Sequence, residues 1–180
     1  MVELLMGQHN EIKDLFSRLE TARGKQKREL FEDLVRLLAV HEAAEEEVVH
    51  PMARRNITGG DKVVDKRLQE EDEAKHELAE LYDMGVEHVE FDARLAKFAE
   101  AVIHHATREE NEEFLKLRDK LSADQLRSLA GAVRAAEATA PTRPHPMAGE
   151  SATANLVAGP PLALFDRVRD AVRDWNHKNG

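Results

Sequence analysis

The chain has 180 residues, of which 42% are hydrophobic, 34% charged and only 4% aromatic, and its formal charge is −9. An acidic chain repels phosphate backbones, so nucleic acid is not an expected partner, and so small an aromatic share disfavours a β-rich fold. Cysteine is absent, which excludes disulfides, thiol catalysis and cysteine-ligated zinc or iron–sulfur sites and fits a reducing, cytoplasmic setting.

The chain opens Met1-Val2-Glu3-Leu4-Leu5 without a basic leader region. No apolar run approaches the roughly 18 residues of a spanning helix, so neither a secretory signal nor a membrane segment is expected. Leu5, Ile12, Phe16 and Leu19 step by 7, 4 and 3 residues, which predicts a first helix over residues 2–23, ended by Gly24. Leu30, Leu34, Leu37 and Leu38 begin a second helix that continues to about residue 52, where Pro51 is placed to kink it. Gly59-Gly60 predicts a turn, and Asp61 the N-cap of a third helix over residues 62–84. A fourth helix carries Leu95, Phe98 and Val102 and runs to about residue 118. Ser122 and Gln125 have capping-box spacing and open a fifth, shorter helix to about residue 138. Residues 139–161 are rich in proline and glycine and read as an extended tail, and residues 162–175 as a last amphipathic helix that docks back.

Four long helices with short turns predict an all-α fold, an up-down-up-down four-helix bundle over residues 1–120. Residues 121–180 would add a short helix, the tail and the terminal helix. A monomer is the default expectation.

Nine histidines outnumber the eight aromatic residues, so their placement carries the functional reading. His9 sits in the apolar stripe of the first helix, between Leu5 and Ile12. His41 continues the stripe of Leu34 and Leu37, and Glu45 follows at i+4 on the same face. The series Leu95, Phe98, Val102, His105, Glu109 steps by 3, 4, 3 and 4, so His105 and Glu109 share the buried face. The third helix contributes His76, on a more polar stripe. The midpoints between these groups fall at or near the expected turns, and residues equidistant from a turn in antiparallel helices stand at one height. The pattern also repeats: 32 residues separate His9 from His41-x-x-x-Glu45, and 29 separate His76 from His105-x-x-x-Glu109.

Two carboxylates in a core are costly unless paired or bound to metal. No Lys or Arg is expected at their height on the inward stripes. The predicted answer is a dinuclear metal site. Glu45 and Glu109 would bridge the ions, and His9, His41, His76 and His105 would be terminal ligands. Imidazole with carboxylate suits two non-haem iron ions joined by an oxo or hydroxo bridge, with manganese or zinc as alternatives.

At these residues the sequence resembles the hemerythrin-like HHE cation-binding family, over about residues 3–119. The marks are His9, the run from His41-Glu42-Ala43-Ala44-Glu45 to His50-Pro51, His76, and His105-Ala106-Thr107-Arg108-Glu109. The resemblance implies a non-haem di-iron centre in a four-helix bundle. Oxygen-carrying hemerythrins have two histidines at i, i+4 in the third helix and His-x-x-x-x-Asp in the fourth. Here Glu80 stands four residues after His76, and the fourth helix has His-x-x-x-Glu. The set is similar to the four-histidine, two-glutamate branch known from actinobacteria and from eukaryotic iron sensing. Pro144-His145-Pro146 and the terminal helix resemble the actinobacterial members. For these, the implied roles are hydrogen peroxide disproportionation or a nitric-oxide or redox-stress function. The alternative is a non-catalytic module that binds or senses O2, NO or iron.

The remaining candidates are weaker. His104 lies about 100° around the helix from His105. His50 faces away from the site unless Pro51 distorts the helix, in which case a supporting or access role opens. Glu42 neighbours His41 and is within reach of a metal in some loading states, and Tyr82 reads as a core residue. His88, His145 and His177 read as solvated. A ferritin-like reading of Glu47-x-x-His50 and Glu73-x-x-His76 fails because these motifs fall on consecutive rather than alternate helices.

Overall fold

The computed structural model describes residues 1–139, and among them there are helices and no strands. They form five rods. The first is α1, Val2–Thr21. The second runs through α2, Gly24–Ala44, a π-turn, Glu45–Val49, and α3, His50–Asn56. The third is α4, Gly60–Met84. The fourth joins α5, Phe91–Glu109, a second π-turn, Glu110–Phe114, and α6, Leu115–Lys120. The fifth is α7, Ala123–Thr139. The first four pack as the expected up-down-up-down bundle, and α7 lies against α1 and α2. The expected tail and terminal helix fall outside the described residues. No described helix is long and apolar enough to cross a membrane.

The local sequence explains the turns. Gly59 has φ 74° and reverses the chain before α4. Gly60 sits so close to α3 that a Cβ there would stand 2.3 Å from the Ala53 carbonyl oxygen. Gly59 therefore takes the cap position expected of Asp61, which instead accepts a hydrogen bond from Arg54 at 3.1 Å. The capping box at α7 forms as expected: Gln125 N–H donates to Ser122 Oγ at 3.2 Å, and Ser122 N–H to Gln125 Oε1 at 2.9 Å.

Pro51 has a larger effect than a kink. It lacks an N–H, and its ring crowds the carbonyl four residues back. The helix accommodates it with the π-turn, in which His50 N–H bonds to Glu45 O, five residues away. The wider turn swings His50 beneath Glu45 on the inner face, where it is 3% exposed. A second π-turn follows Glu109 without a proline, so the two bulges share a position and not a local cause.

The apolar core is in two parts. One holds Leu5, Ala44, Val49, Val64, Phe114, Leu117 and Val133, and the other Ile12, Phe16, Leu34, Leu38, Leu78, Leu81, Phe91 and Phe98. His9 lies between Leu5 of the first and Ile12 of the second. Apart from Lys27, which pairs with Asp92 over the Phe91 ring, the buried polar side chains gather around the layer between them.

Candidate metal centre

The imidazoles of this layer are held from outside. His9 Nδ1–H donates to Glu110 Oε1 at 2.8 Å, His41 Nδ1–H to Gln8 Oε1 at 2.8 Å, and His105 Nδ1–H to Glu70 Oε2 at 3.0 Å. Anchoring Nδ1 leaves Nε2 to face inward, and such outer partners fix ring orientation in metal sites. His41 Nε2 stands 3.1 Å from Glu45 Oε1, and His105 Nε2 3.2 Å from Glu109 Oε1. His9 Nε2 lies 2.8 Å from His41 Nε2 and 3.4 Å from Glu109 Oε2. Two lone pairs that close repel unless a proton or a cation sits where they converge.

Two groups of donor atoms result. His9, His41, Glu45 and Glu109 bring one atom each within 4.8 Å of one another, and so do Glu45, Glu71, His105 and Glu109. The groups share Glu45 and Glu109, one carboxylate from the second rod and one from the fourth. Both glutamates are 0% exposed. All four of their oxygens, and Glu71 Oε2, are buried without a hydrogen-bond partner among the described residues. Buried polar atoms are nearly always satisfied. Orphaned oxygens facing oriented imidazoles therefore fit a pair of cations, and the donor set suits iron, manganese or zinc.

The electrostatics carry the same strain. Burial, then the carboxylates of Glu109, Glu71 and Glu113, pushes Glu45 well above the usual carboxyl range. Burial also acts to raise Glu109, but His105, His9 and His41 outweigh it and hold that carboxyl well below its ordinary value. Burial, then the His9 imidazole, pushes His41 down to about 3. Burial opposes charge on His105 too, but Glu109 and Glu70 raise it to about 9.

Five of the six expected site residues, His9, His41, Glu45, His105 and Glu109, meet in this layer. His76 does not. Its side chain is 68% exposed and its Nδ1–H donates to the Asp72 carbonyl on its own helix. The α4 residue that reaches the layer is Glu71, 1% exposed. His76 is five residues further on, about 140° around the helix. The buried stripe Val64, Arg67, Glu71, Leu78, Leu81 steps by 3, 4, 7 and 3 and was the available signal.

The expectation that no basic residue stands nearby also needs correction. Arg67 is 0% exposed, bonds to Glu70 and Glu112, and lies 3.7 Å from Glu113. Its charge is shared among these three glutamates and does not pair with Glu45 or Glu109. His50 donates from both nitrogens, to Glu113 at 3.1 Å and to Glu71 at 2.7 Å. These bonds outweigh burial and raise it to about 10. His104 and His88 are exposed, and Tyr82 packs on Phe31 at the edge of the core.

A cavity of about 410 Å³ opens between α4 and α5 onto the layer. Ile12, Leu38, Phe98 and Val102 give it apolar walls, and His9, His41, Glu45, Glu71 and His105 line its inner end.

The hemerythrin HHE cation binding domain family matches residues 1–117. The chain belongs to this family. Among its relatives, an uncharacterized hemerythrin-like protein of Schizosaccharomyces pombe is 27% identical over 77% of this chain and 68% of its own length. A DNA nickase of Nostoc sp. is 31% identical over 72% of this chain, but the match covers only 36% of that longer protein. Among solved structures, a hemerythrin HHE cation binding domain-containing protein from Mycobacterium kansasii superimposes with a TM-score of 0.57 at 17% identity, over 87% of this chain and 98% of that one. At that identity the likeness is one of fold, and it agrees with the helical bundle seen here.

Proposed function

We propose that this HHE chain is a non-haem di-iron protein that disproportionates hydrogen peroxide. The observation that carries the reading is the pair of donor groups sharing Glu45 and Glu109 at the inner end of a cavity. His9 and His41 would hold one ion, His105 and Glu71 the other, and Glu45 and Glu109 would lie between them. When bound, the iron pair supplies the redox chemistry. The protein's part is geometric. The outward bonds to Glu110, Gln8 and Glu70 set the imidazoles, and the apolar residues in the cavity walls would pass a small uncharged molecule. Two H2O2 give two H2O and one O2, so peroxide serves as both oxidant and reductant.

The same walls suit nitric oxide and dioxygen, which makes non-catalytic binding or sensing the second reading. The name of the Nostoc relative points to DNA, but the charge of −9 weighs against carrying that activity over.

The test is oxygen evolution from peroxide by iron-loaded protein. One O2 per two H2O2, lost in Glu109→Gln, is the expected result. Iron-loaded protein that evolves no O2, yet changes its optical spectrum stoichiometrically with NO, would replace catalysis by binding.

A further inference from the structure

A third cluster lies in the seam between the second rod and α4. Glu42, Glu46 and Glu71 each bring one oxygen within 4.8 Å of the others. Glu71 belongs both to this cluster and to the inner layer. Its Oε1 accepts from His50 at 2.7 Å, while its Oε2 is buried without a hydrogen-bond partner among the described residues. A carboxylate that is 1% exposed with an orphaned oxygen is a site shaped for a cation.

The chain already places a cation here. The Lys75 ammonium lies 2.5 Å from Glu46 and 3.2 Å from Glu42. Lysine is a compact charge on a flexible four-carbon stem, so it can swing aside without disturbing the helices. Side-chain exposure falls in order from Glu46 at 22%, through Lys75 at 14% and Glu42 at 9%, to Glu71 at 1%. The three glutamates thus form a descending series of oxygen donors from surface to centre, with Lys75 between Glu46 and Glu42. Glu42 and Glu71 also line the cavity between α4 and α5, together with Glu70, Glu73 and Glu77, so the cluster borders both the seam and the cavity.

We propose that the Glu42–Glu46–Glu71 cluster is a loading site for divalent cations, where Lys75 holds the place of the incoming ion and Glu71 hands it to the inner pair. The inference rests on the reading of the inner layer as a two-ion site.

The test is stopped-flow uptake of cobalt(II) by the metal-free full-length chain, followed by its visible bands, with final metal content measured separately. Wild type should take up two ions. Glu46→Gln should reach the same content about tenfold more slowly, because an attracting charge at a mouth raises the capture rate. Glu46→Asp should restore the rate, and Lys75→Met should load faster than wild type. If wild type takes up two ions and all three variants load at its rate, the seam is an ordinary ion-pair cluster and the loading site is wrong. If wild type takes up no cobalt, the two-ion reading fails first and takes the loading site with it.

Discussion

The choice between Glu71 and His76 shows what one residue decides in this site. Both lie on α4, but Glu71 is 1% exposed beside His50, while the His76 side chain is 68% exposed and bonds its own helix. Glu71→Ala should therefore remove about half the bound metal, and His76→Ala should leave it unchanged, as measured by metal content after anaerobic loading. The reverse result would restore the sequence-based expectation. The titrating residues predict a pH effect in the metal-free protein. Despite burial, the hydrogen bonds His50 donates to Glu113 and Glu71 raise it to about 10, against an ordinary 6.5, and His105 is likewise held at about 9. A folded-state value above the unfolded one stabilises fully below pH 6.5 and is lost as pH climbs through the folded value. The melting temperature of metal-free protein should thus fall between about pH 7 and pH 10, and His50→Gln should flatten that fall. A melting temperature that rises across this range would contradict the charged imidazoles. Most of the layer was legible in the sequence, because His9, His41, Glu45, His105 and Glu109 continue clean apolar stripes. His76 misled because a histidine draws more attention than a glutamate in an acidic helix. The stripe through Val64, Arg67 and Glu71 is broken by its own charges, so hydrophobicity alone does not reveal it.

At the scale of the element, the decisive feature is the π-turn, Glu45–Val49. Pro51 was visible in the sequence as a disturbance. That the helix would absorb it by widening one turn upstream, and not by bending, depends on packing across the bundle. The consequence is concrete: His50, five residues after Glu45, bonds Glu71 and Glu113 beneath the layer. The glycines give a paired test of the packing. Gly60 approaches α3 so closely that a Cβ would lie 2.3 Å from Ala53 O and 2.9 Å from Arg54 Cα. Gly60→Ala should cost about 1–3 kcal/mol. Gly7, in the interior of α1 with nothing near its would-be Cβ, should behave oppositely. Gly7→Ala should add about 0.5–1 kcal/mol through helix propensity alone. Thermal melts of the two variants check both signs. The Ser122–Gln125 box and the glycine turns were readable from sequence because each depends on one or two residues, whereas a register shift depends on a whole interface.

For the whole molecule, the polar layer divides the core in two and ties four rods together. Its donors come from α1, α2 with its π-turn, α4 and α5. Without metal the layer is a fault: it buries orphaned carboxylate oxygens and sets two imidazole nitrogens 2.8 Å apart. With metal it becomes a cross-link. Ligand binding to the folded state alone adds about 2.7 kcal/mol at a hundredfold excess over Kd. For a chain of this size that is a rise in melting temperature on the order of 5–10 °C. Anaerobic iron(II) should raise the melting temperature by that amount in wild type and leave Glu45→Ala unmoved. The measurement that reaches the central claim most directly is the iron content of the anaerobically loaded chain, taken alongside that of Glu45→Ala and Glu109→Ala. Two irons per wild-type chain, falling below one in either variant, is the predicted result. Less than one iron in wild type, or two in both variants, would mean that the layer between the cores is not a metal centre.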